Sequence, residues 1–474
     1  MTLGSLMRRA SRWRQHDLFH YHRNVYLMLL FTLGKGFQLS IASLTTNLYL
    51  FSLGYRQEFI GYFTAIPAVG AFVAAVPLGI LADRWGRKPL LVWSGLLNPL
   101  ALAGIALSTT PALLIAASLA NGLLSGGYWV TNLPVLTEST ADDQRVGVLA
   151  LNSFLLLGVG ALGSLIGGLV PEGVAHLLHV AANSAVPLRM GVLAAAFAVF
   201  LPAVPLIWLS EERLPRRQNA PAPPLPASDE AFAVYEHDAV GVALAEASAP
   251  PITASAPAEP AEPAEAGDPT DPVGRRATTI LFLKLLVPDV LFTTGEGAVL
   301  GLLQVFLALR FGLQPGVLGI FYTVVGLLGG ATSLMAPRLV RRWGSLRTAT
   351  LMQYLTVPAM LVTGFAPFFV VSASGEIGRG VLRGFFEPVY ASFTMGSVSR
   401  RLRATLSGFY STTWSIGFTI GPAIAGSLQQ YVSLSAPFIV GAVCVATSAT
   451  LLTLFFGRPA ARGASTTTTR TRIR

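Results

Sequence analysis

The sequence predicts an all-α, polytopic membrane protein: twelve transmembrane helices in two pseudo-symmetric six-helix bundles. Three observations lead there. Long apolar runs carry little charge, basic residues gather in alternate loops, and the second half repeats the first at one fixed spacing.

Of 474 residues, 53% are hydrophobic and 12% are charged, against about 25% charged in soluble chains. Soluble cores stop growing near roughly 250–300 residues, so this apolar content implies a lipid solvent. A spanning helix needs about 20 mainly apolar residues. Twelve such runs can be read: 25–50, 57–82, 88–108, 111–136, 146–170 and 188–210, then 278–309, 315–337, 346–366, 367–395, 404–428 and 434–456. An open sheet would leave backbone groups unpaired in lipid, and a β-barrel would show short alternating segments instead.

Next comes orientation. Basic residues cluster in the tail (Arg8, Arg9, Arg12, Arg14, Arg23), after span 2 (Arg84, Arg87, Lys88), before span 5 (Arg145) and around the middle (Arg213, Arg216, Arg217, Arg275, Arg276). They recur after span 8 (Arg341, Arg342, Arg347), span 10 (Arg400, Arg401, Arg403) and span 12 (Arg458, Arg462). The opposite loops hold little beyond Arg56, Arg189 and Arg310. The positive-inside rule then puts both termini in the cytoplasm of a plasma membrane, such as a bacterial inner membrane. This placement also accounts for the net charge of +10 without nucleic acid.

The organisation follows: a basic cytoplasmic tail (1–24), a first bundle (25–210), a linker (211–276), a second bundle (277–457) and a cytoplasmic tail (458–474). The linker is rich in Pro, Ala and Glu and reads as a disordered, solvated spacer. The first apolar run has no small-residue cleavage site and reads as a retained helix.

The halves align without a gap. Trp85 matches Trp343, and 343 − 85 = 258. The same offset pairs Gly54 with Gly312, Gly61 with Gly319, Gly86 with Gly344, Gly122 with Gly380, Arg145 with Arg403, Gly163 with Gly421 and Gly168 with Gly426. Six helices plus six, as parallel repeats, is an architecture of secondary transporters.

The loop after span 2 contains Gly79, Asp83, Arg84, Trp85, Gly86, Arg87 and Lys88. It resembles the signature loop of the major facilitator superfamily, G-x-x-x-D-R-x-G-R-R/K. Gly79 permits close helix approach, Asp83 suits a helix N-terminus, and the cations suit that acid or lipid headgroups. The resemblance implies a cytoplasmic latch between bundles, with Asp83 and Arg87 as its candidates. A simple topogenic loop would explain the arginines but not the acid among them. In the second copy, Arg341 replaces Asp83 and Pro337 replaces Gly79.

Span 5 holds Gly163, Gly167 and Gly168. It is similar to the antiporter motif of drug-efflux members, G-P-x-x-G-G, with Ser164 in place of proline. Span 11 carries Gly421, Pro422 and Gly426. Close helix packing explains most of this pattern, and the resemblance implies efflux. The R-x-x-Q-G pattern of proton-coupled drug exporters is replaced here by Ser118 to Gly122, with Asn121 but no arginine.

Charge inside a span is a functional-site hypothesis by default. Span 1 has Lys35 with Gln38; span 7 has Asp289 and Glu296; span 10 has Glu376, Arg379, Arg383 and Glu387. Spans 1, 4, 7 and 10 line the cavity in the family this chain resembles. Arg379, Arg383 and Glu387 share one helical face. At about 1.5 Å per residue, Lys35, Asp289 and Arg379 each lie roughly 15 Å from a helix end. Asp289, beside Pro288, and Glu296 are the proton-carrier candidates, and the two arginines suit an anionic solute. Asn121, Tyr128, Trp129 and Asn132 on span 4 complete the expected lining. The bland alternative is mutual neutralisation: Lys35 with Asp289, and Arg383 with Glu387.

The single cysteine, Cys444, reads as a small buried hydrophobe. His176 and His179 read as solvated loop residues. The sequence has no H-E-x-x-H, G-x-S-x-G or P-loop, so an enzyme, a metal site and a cofactor are not expected. The reading is a monomeric secondary transporter of a small molecule, using alternating access with protons as coupling ion and efflux as its direction. The rival transporter is a proton-coupled importer of an organic anion or sugar. The rival of another class is a membrane sensor or lipid-handling scaffold whose output element is the linker. Deleting 221–272 is expected to leave solute flux in vesicles intact; a sensor would lose its signalling.

Overall fold

The structure, a computed structural model, describes residues 21–140, 145–210, 272–333, 335–398 and 400–457. The N-terminal tail up to residue 20, the linker up to residue 271 and the C-terminal tail lie outside the described residues, and Arg23 and Asn24 of the expected first tail already belong to α1. The first half forms α1 (Arg23–Ser52), α2 (Gln57–Trp85), α3 (Arg87–Leu107), α4 (Pro111–Glu138), α5 (Arg145–Ser153), α6 (Leu162–Leu178) and α7 (Ala185–Ala203). The second half forms α8 (Pro272–Leu300), α9 (Leu303–Phe311), α10 (Pro315–Ser333), α11 (Ala336–Trp343), α12 (Ser345–Phe365), α13 (Phe369–Gly396), α14 (Arg400–Tyr431) and α15 (Ala436–Phe456). Among the described residues there is no strand.

Nine stretches among the described residues are long and apolar enough to cross a membrane. α12 and α14 fall short because Thr, Ser and Gln dilute them, and α13 because it carries the cluster of charges. All three pack within the second bundle, α12 and α14 against the apolar α15 and α8 respectively. Large side chains such as Val76, Trp93 and Leu100 stand exposed on helix surfaces. In water they would be a liability; in lipid they are the solvent-facing surface.

Three spans depart from the expected continuous helices. Span 5 was expected as 146–170 but is divided: α5 runs into a π turn, Phe154–Val159, before α6 continues to Leu178. His176 therefore belongs to the last helical turn, and His179 is its left-handed cap (φ 54°). Buried Pro171 is absorbed inside α6 instead of ending it. Span 7 begins at Pro272, inside the segment assigned to the linker, so the linker deletion is better ended at 271. It breaks at Gly301, whose carbonyl is free to accept from Asn47 Nδ2 of α1 (2.8 Å). Span 8 stops at Ser333 and resumes as α11.

The expected internal repeat is present in three dimensions. α3 spans 87–107 and α12 spans 345–365; α4 spans 111–138 and α13 spans 369–396. Each boundary is shifted by the offset read in the sequence. The four positive-φ glycines among the described residues form two pairs at that offset: Gly54 with Gly312, and Gly86 with Gly344. A side chain would be strained there, and each glycine lets the chain turn sharply between helices. Packing repeats as well. α1 packs on α6 and α7, as α8 packs on α14 and α15. α2 and α3 pack on α4, as α10 and α12 pack on α13.

The bundles meet through α2 with α14 and α6 with α10. Both crossings are backbone to backbone. A Cβ on Gly61 would sit 2.8 Å from Gly426 Cα, and one on Gly319 would sit 3.0 Å from Gly168 Cα. These two crossings are copies of each other: 319 − 61 = 258 and 426 − 168 = 258. Gly163 and Gly167 instead seat α6 on α1, at Phe37 and Ile41, while Gly421 seats α14 on α8 at Gly297 and Ala298. Pro422 packs its ring against Gly301.

The hydrogen bonds that join the bundles cluster at this same end. Gln304 Nε2 donates to the Ser43 carbonyl, the Gly316 amide donates to Glu172 Oε1 (3.0 Å), and the Tyr431 hydroxyl donates to Glu58 Oε2 (2.6 Å). Toward the other end the helices part. A cleft opens between α2 and α14 at Val69, Phe72, Ser415 and Thr419. The two bundles thus form a wedge, closed at the Gly54 and Gly312 turns.

Gly61→Val and Gly319→Val should each prevent this closure and destabilise the protein by about 1–3 kcal/mol, the usual penalty of overpacking. Thermal unfolding in detergent, together with thiol labelling of Ser43→Cys, checks both effects; labelling should rise.

Candidate functional site

Between the bundles lies a cavity of about 310 Å³. Its walls come from α1 (Gly36, Leu39), the π turn (Leu156, Leu157), α10 (Tyr322, Val325) and α13 (Glu376 to Pro388). A π turn is frequent at functional sites because it frees the regular hydrogen-bond ladder locally. Small residues along α10 and α13 (Gly326, Gly329, Gly380, Gly384) keep that wall thin.

The charges of α13 and α8 converge on this cavity. Arg379 is 2% exposed and is held on two sides. Its Nε and Nη2 donate to Glu376 (2.8 and 2.5 Å), and its Nη1 donates to Glu296 Oε2 (2.5 Å). Arg383 Nε donates to Glu387, one helical turn along, and its Nη1 lies 3.8 Å from Glu296 Oε2. Bidentate guanidinium–carboxylate geometry makes such burial tolerable. The cluster counts three acids against two arginines. Glu296 Oε1 is buried with no hydrogen-bond partner, and so is the Tyr322 hydroxyl on the cavity wall.

The other sequence candidates lie apart from this cluster. Lys35 is 1% exposed and turns into the first bundle. Its Nζ donates to Asn98 Oδ1 (3.3 Å) and Ser125 Oγ (3.0 Å), with Tyr128 beneath it at 5.9 Å. Asn98 in turn donates to Asn121 Oδ1 (2.9 Å). Asp289 is buried in the second bundle, where the Thr413 hydroxyl donates to it. Lys35 and Asp289 therefore do not neutralise each other: each is held by neutral side chains of its own bundle. Gln38 is buried with an unsatisfied Oε1. Asn132 is buried and accepts from Thr32 (3.4 Å), whereas Trp129 is half exposed and points away from the polar set.

The two polar sets occupy repeated positions. Asn121 corresponds to Arg379, Ser125 to Arg383 and Gln38 to Glu296, each at an offset of 258. The repeated positions are therefore neutral around Lys35 in the first bundle and ionic in the second. Asn98, Ser125, Thr413 and Tyr322 were missed in the sequence because uncharged polar residues in a span carry little signal. The repeat itself marks Ser125.

At the parted end, Asp83 and Arg84 are exposed, and Gly86 and Lys88 partly so, around the turn between α2 and α3. Arg87 pairs with Glu138 at the end of α4, within the first bundle, and no ion pair joins Asp83 to another described residue.

A repeated bundle pair closing over a charged cavity is an architecture of secondary transporters, and the likenesses to known proteins point the same way. The chain belongs to the Major Facilitator Superfamily, whose family pattern it matches over residues 27–416 and again over 290–472. It is 26% identical over 142 residues to the "Multi-drug resistance efflux pump PmrA" of Streptococcus pneumoniae, covering 29% of this chain and 35% of that one. It is 31% identical over 127 residues to "Solute carrier family 22 member 2" of Oryctolagus cuniculus, covering 26% and 21%. The chain thus aligns with about a third or less of the length of these curated relatives. Among solved structures, it is similar to a bacterial homologue of the lysosomal transporter Spinster in an inward-facing, occupied conformation (TM-score 0.66, 12% identity, 91% and 95% coverage). It is also similar to the nucleoside transporter NupG (TM-score 0.61, 15% identity, 92% and 99% coverage). These likenesses show the fold. The protein is a multi-pass membrane protein of this transporter superfamily.

Removing one member of the buried pair leaves the other charge uncompensated. Glu376→Ala should destabilise the protein by about 3–5 kcal/mol. Glu376→Gln combined with Arg379→Gln should be milder than the sum of the single changes. Chemical denaturation of the purified variants in detergent measures both.

Proposed function

We propose that this transporter exports a small organic solute from the cytoplasm in exchange for protons. The observation that carries this reading is the surplus carboxylate of the Glu296, Glu376, Arg379, Arg383 and Glu387 cluster beside the cavity. A buried negative charge without a counterion is costly, and a proton removes that cost. Proton uptake from one side and release to the other then couples to the bundle motion. Asp289 and Glu296, two turns apart on α8, serve as the carriers.

With both termini cytoplasmic, as the loop charges favour, the wedge opens inward and is sealed outward by the Gly61–Gly426 and Gly168–Gly319 crossings. Likeness to an inward-facing structure supports this orientation. Asp83, exposed in this state, is the member of the gate loop left to engage when the inner end closes. The direction of transport draws on the efflux pump among the relatives and on the span 5 glycines. An importer of organic anions would use Arg379 and Arg383, but both guanidiniums are already engaged by carboxylates.

Asp289→Asn keeps an acceptor for Thr413 and should fold normally. In everted vesicles with an imposed pH gradient, its solute-dependent proton flux should fall about tenfold or more. Unchanged flux removes Asp289 from the mechanism.

A further inference from the structure

We infer that the solute is a lipophilic amine carried as its cation, that Glu387 receives its ammonium group, and that Arg383 makes room by turning to Glu296. The inference rests on the transport reading above and adds to it the chemistry of the cargo.

The charge count gives the sign. Within the cluster, three carboxylates face two guanidiniums. Lys35 and Asp289 are held by neutral side chains in their own bundles and leave this surplus of one carboxylate in the cluster unchanged. An anionic solute would double that surplus, while a monovalent cation cancels it. Arg379 offers nothing to an anion, because three of its five N–H groups already bond carboxylates in a site 2% exposed.

The geometry gives the place. Glu387 and Arg383 are the accessible members, with side chains 15% and 31% exposed, against 4% or less for Glu296, Glu376 and Arg379. Arg383 stands between two acids: bonded to Glu387, and 3.8 Å from Glu296. Glu296 keeps one buried oxygen without a donor. An ammonium group taking over Glu387 releases Arg383 to supply that donor. Three acids then face three cations, and Glu296 Oε1 gains its donor. Leu39, Leu156, Leu157, Leu300 and Val325 give the remaining wall an apolar character suited to a hydrocarbon body. A volume of about 310 Å³ lies at the small end of ligand pockets. A proton cancels the same surplus, so amine and proton compete for a single vacancy.

The test uses the purified full-length chain in detergent, without a gradient, and a matched pair of probes: phenylbutylamine and phenylbutyrate. The amine should raise the unfolding temperature and the carboxylate should not. The amine's affinity should weaken as pH falls from roughly 8 to roughly 6, as protons compete for the same negative charge. Glu387→Gln should weaken amine binding about tenfold or more, while Glu387→Asp, which keeps the charge, should retain the preference for the amine. Protection by phenylbutyrate, protection by neither probe, or unchanged amine affinity in Glu387→Gln overturns the inference. A chain that binds the amine yet exchanges no protons in vesicles defeats only the export reading. A proton-coupled chain that prefers the carboxylate defeats only this one.

Discussion

Two backbone-to-backbone crossings set the geometry on which everything else depends. Gly61 against Gly426 and Gly319 against Gly168 bring four helices together with no side chain between them. In lipid, apolar side chains gain nothing by leaving solvent, so close packing and polar bonds are what hold helices together. The polar bonds of Asn47, Gln304, Glu172 and Tyr431 fall at the same end. Because both crossings lie toward one end, the bundles touch as a hinge rather than along their lengths. The cavity is the space that this hinge leaves.

The ion cluster shows how a membrane interior tolerates charge. Arg379 is matched on two sides by carboxylates of its own helix and of α8. Such pairs return little net stability, since desolvation offsets much of their attraction. What they provide is register: α8 and α13 can meet in one relative position only. The charge left over has no counterion within the cluster, and the proposed proton coupling rests on that imbalance. The first bundle holds the contrasting solution, a lone ammonium among Asn98, Ser125 and Tyr128.

Much of the fold was legible in the sequence, because lipid enforces long apolar runs and the repeat is ungapped. The spacing that pairs Trp85 with Trp343 also predicts which helices cross. The convergence of Glu296, Glu376, Arg379, Arg383 and Glu387 was partly legible: helical spacing puts the α13 residues on one face, but periodicity says nothing about which neighbouring helix supplies Glu296. Lys35 with Asp289 was the natural pairing by charge, yet Asn98, Ser125 and Thr413 satisfy both groups first. Neutral polar residues carry no long-range field, so nothing in the one-dimensional pattern announces them. The break at Gly301 and the π turn at Phe154–Val159 arise from tertiary contacts and leave no mark on hydropathy.

The π turn has a consequence for how the two copies should be compared. α14 runs unbroken from Arg400 to Tyr431, while its counterpart is interrupted over Phe154–Val159. A π turn takes up an additional residue per hydrogen-bonded loop, and one residue amounts to about 100° of rotation around a helix axis. Yet Val148 and its counterpart Leu406 are both fully buried ahead of that point, and Gly168 and Gly426 both sit at a bundle crossing beyond it. The extra residue is therefore absorbed locally, without turning the buried faces of the two copies apart.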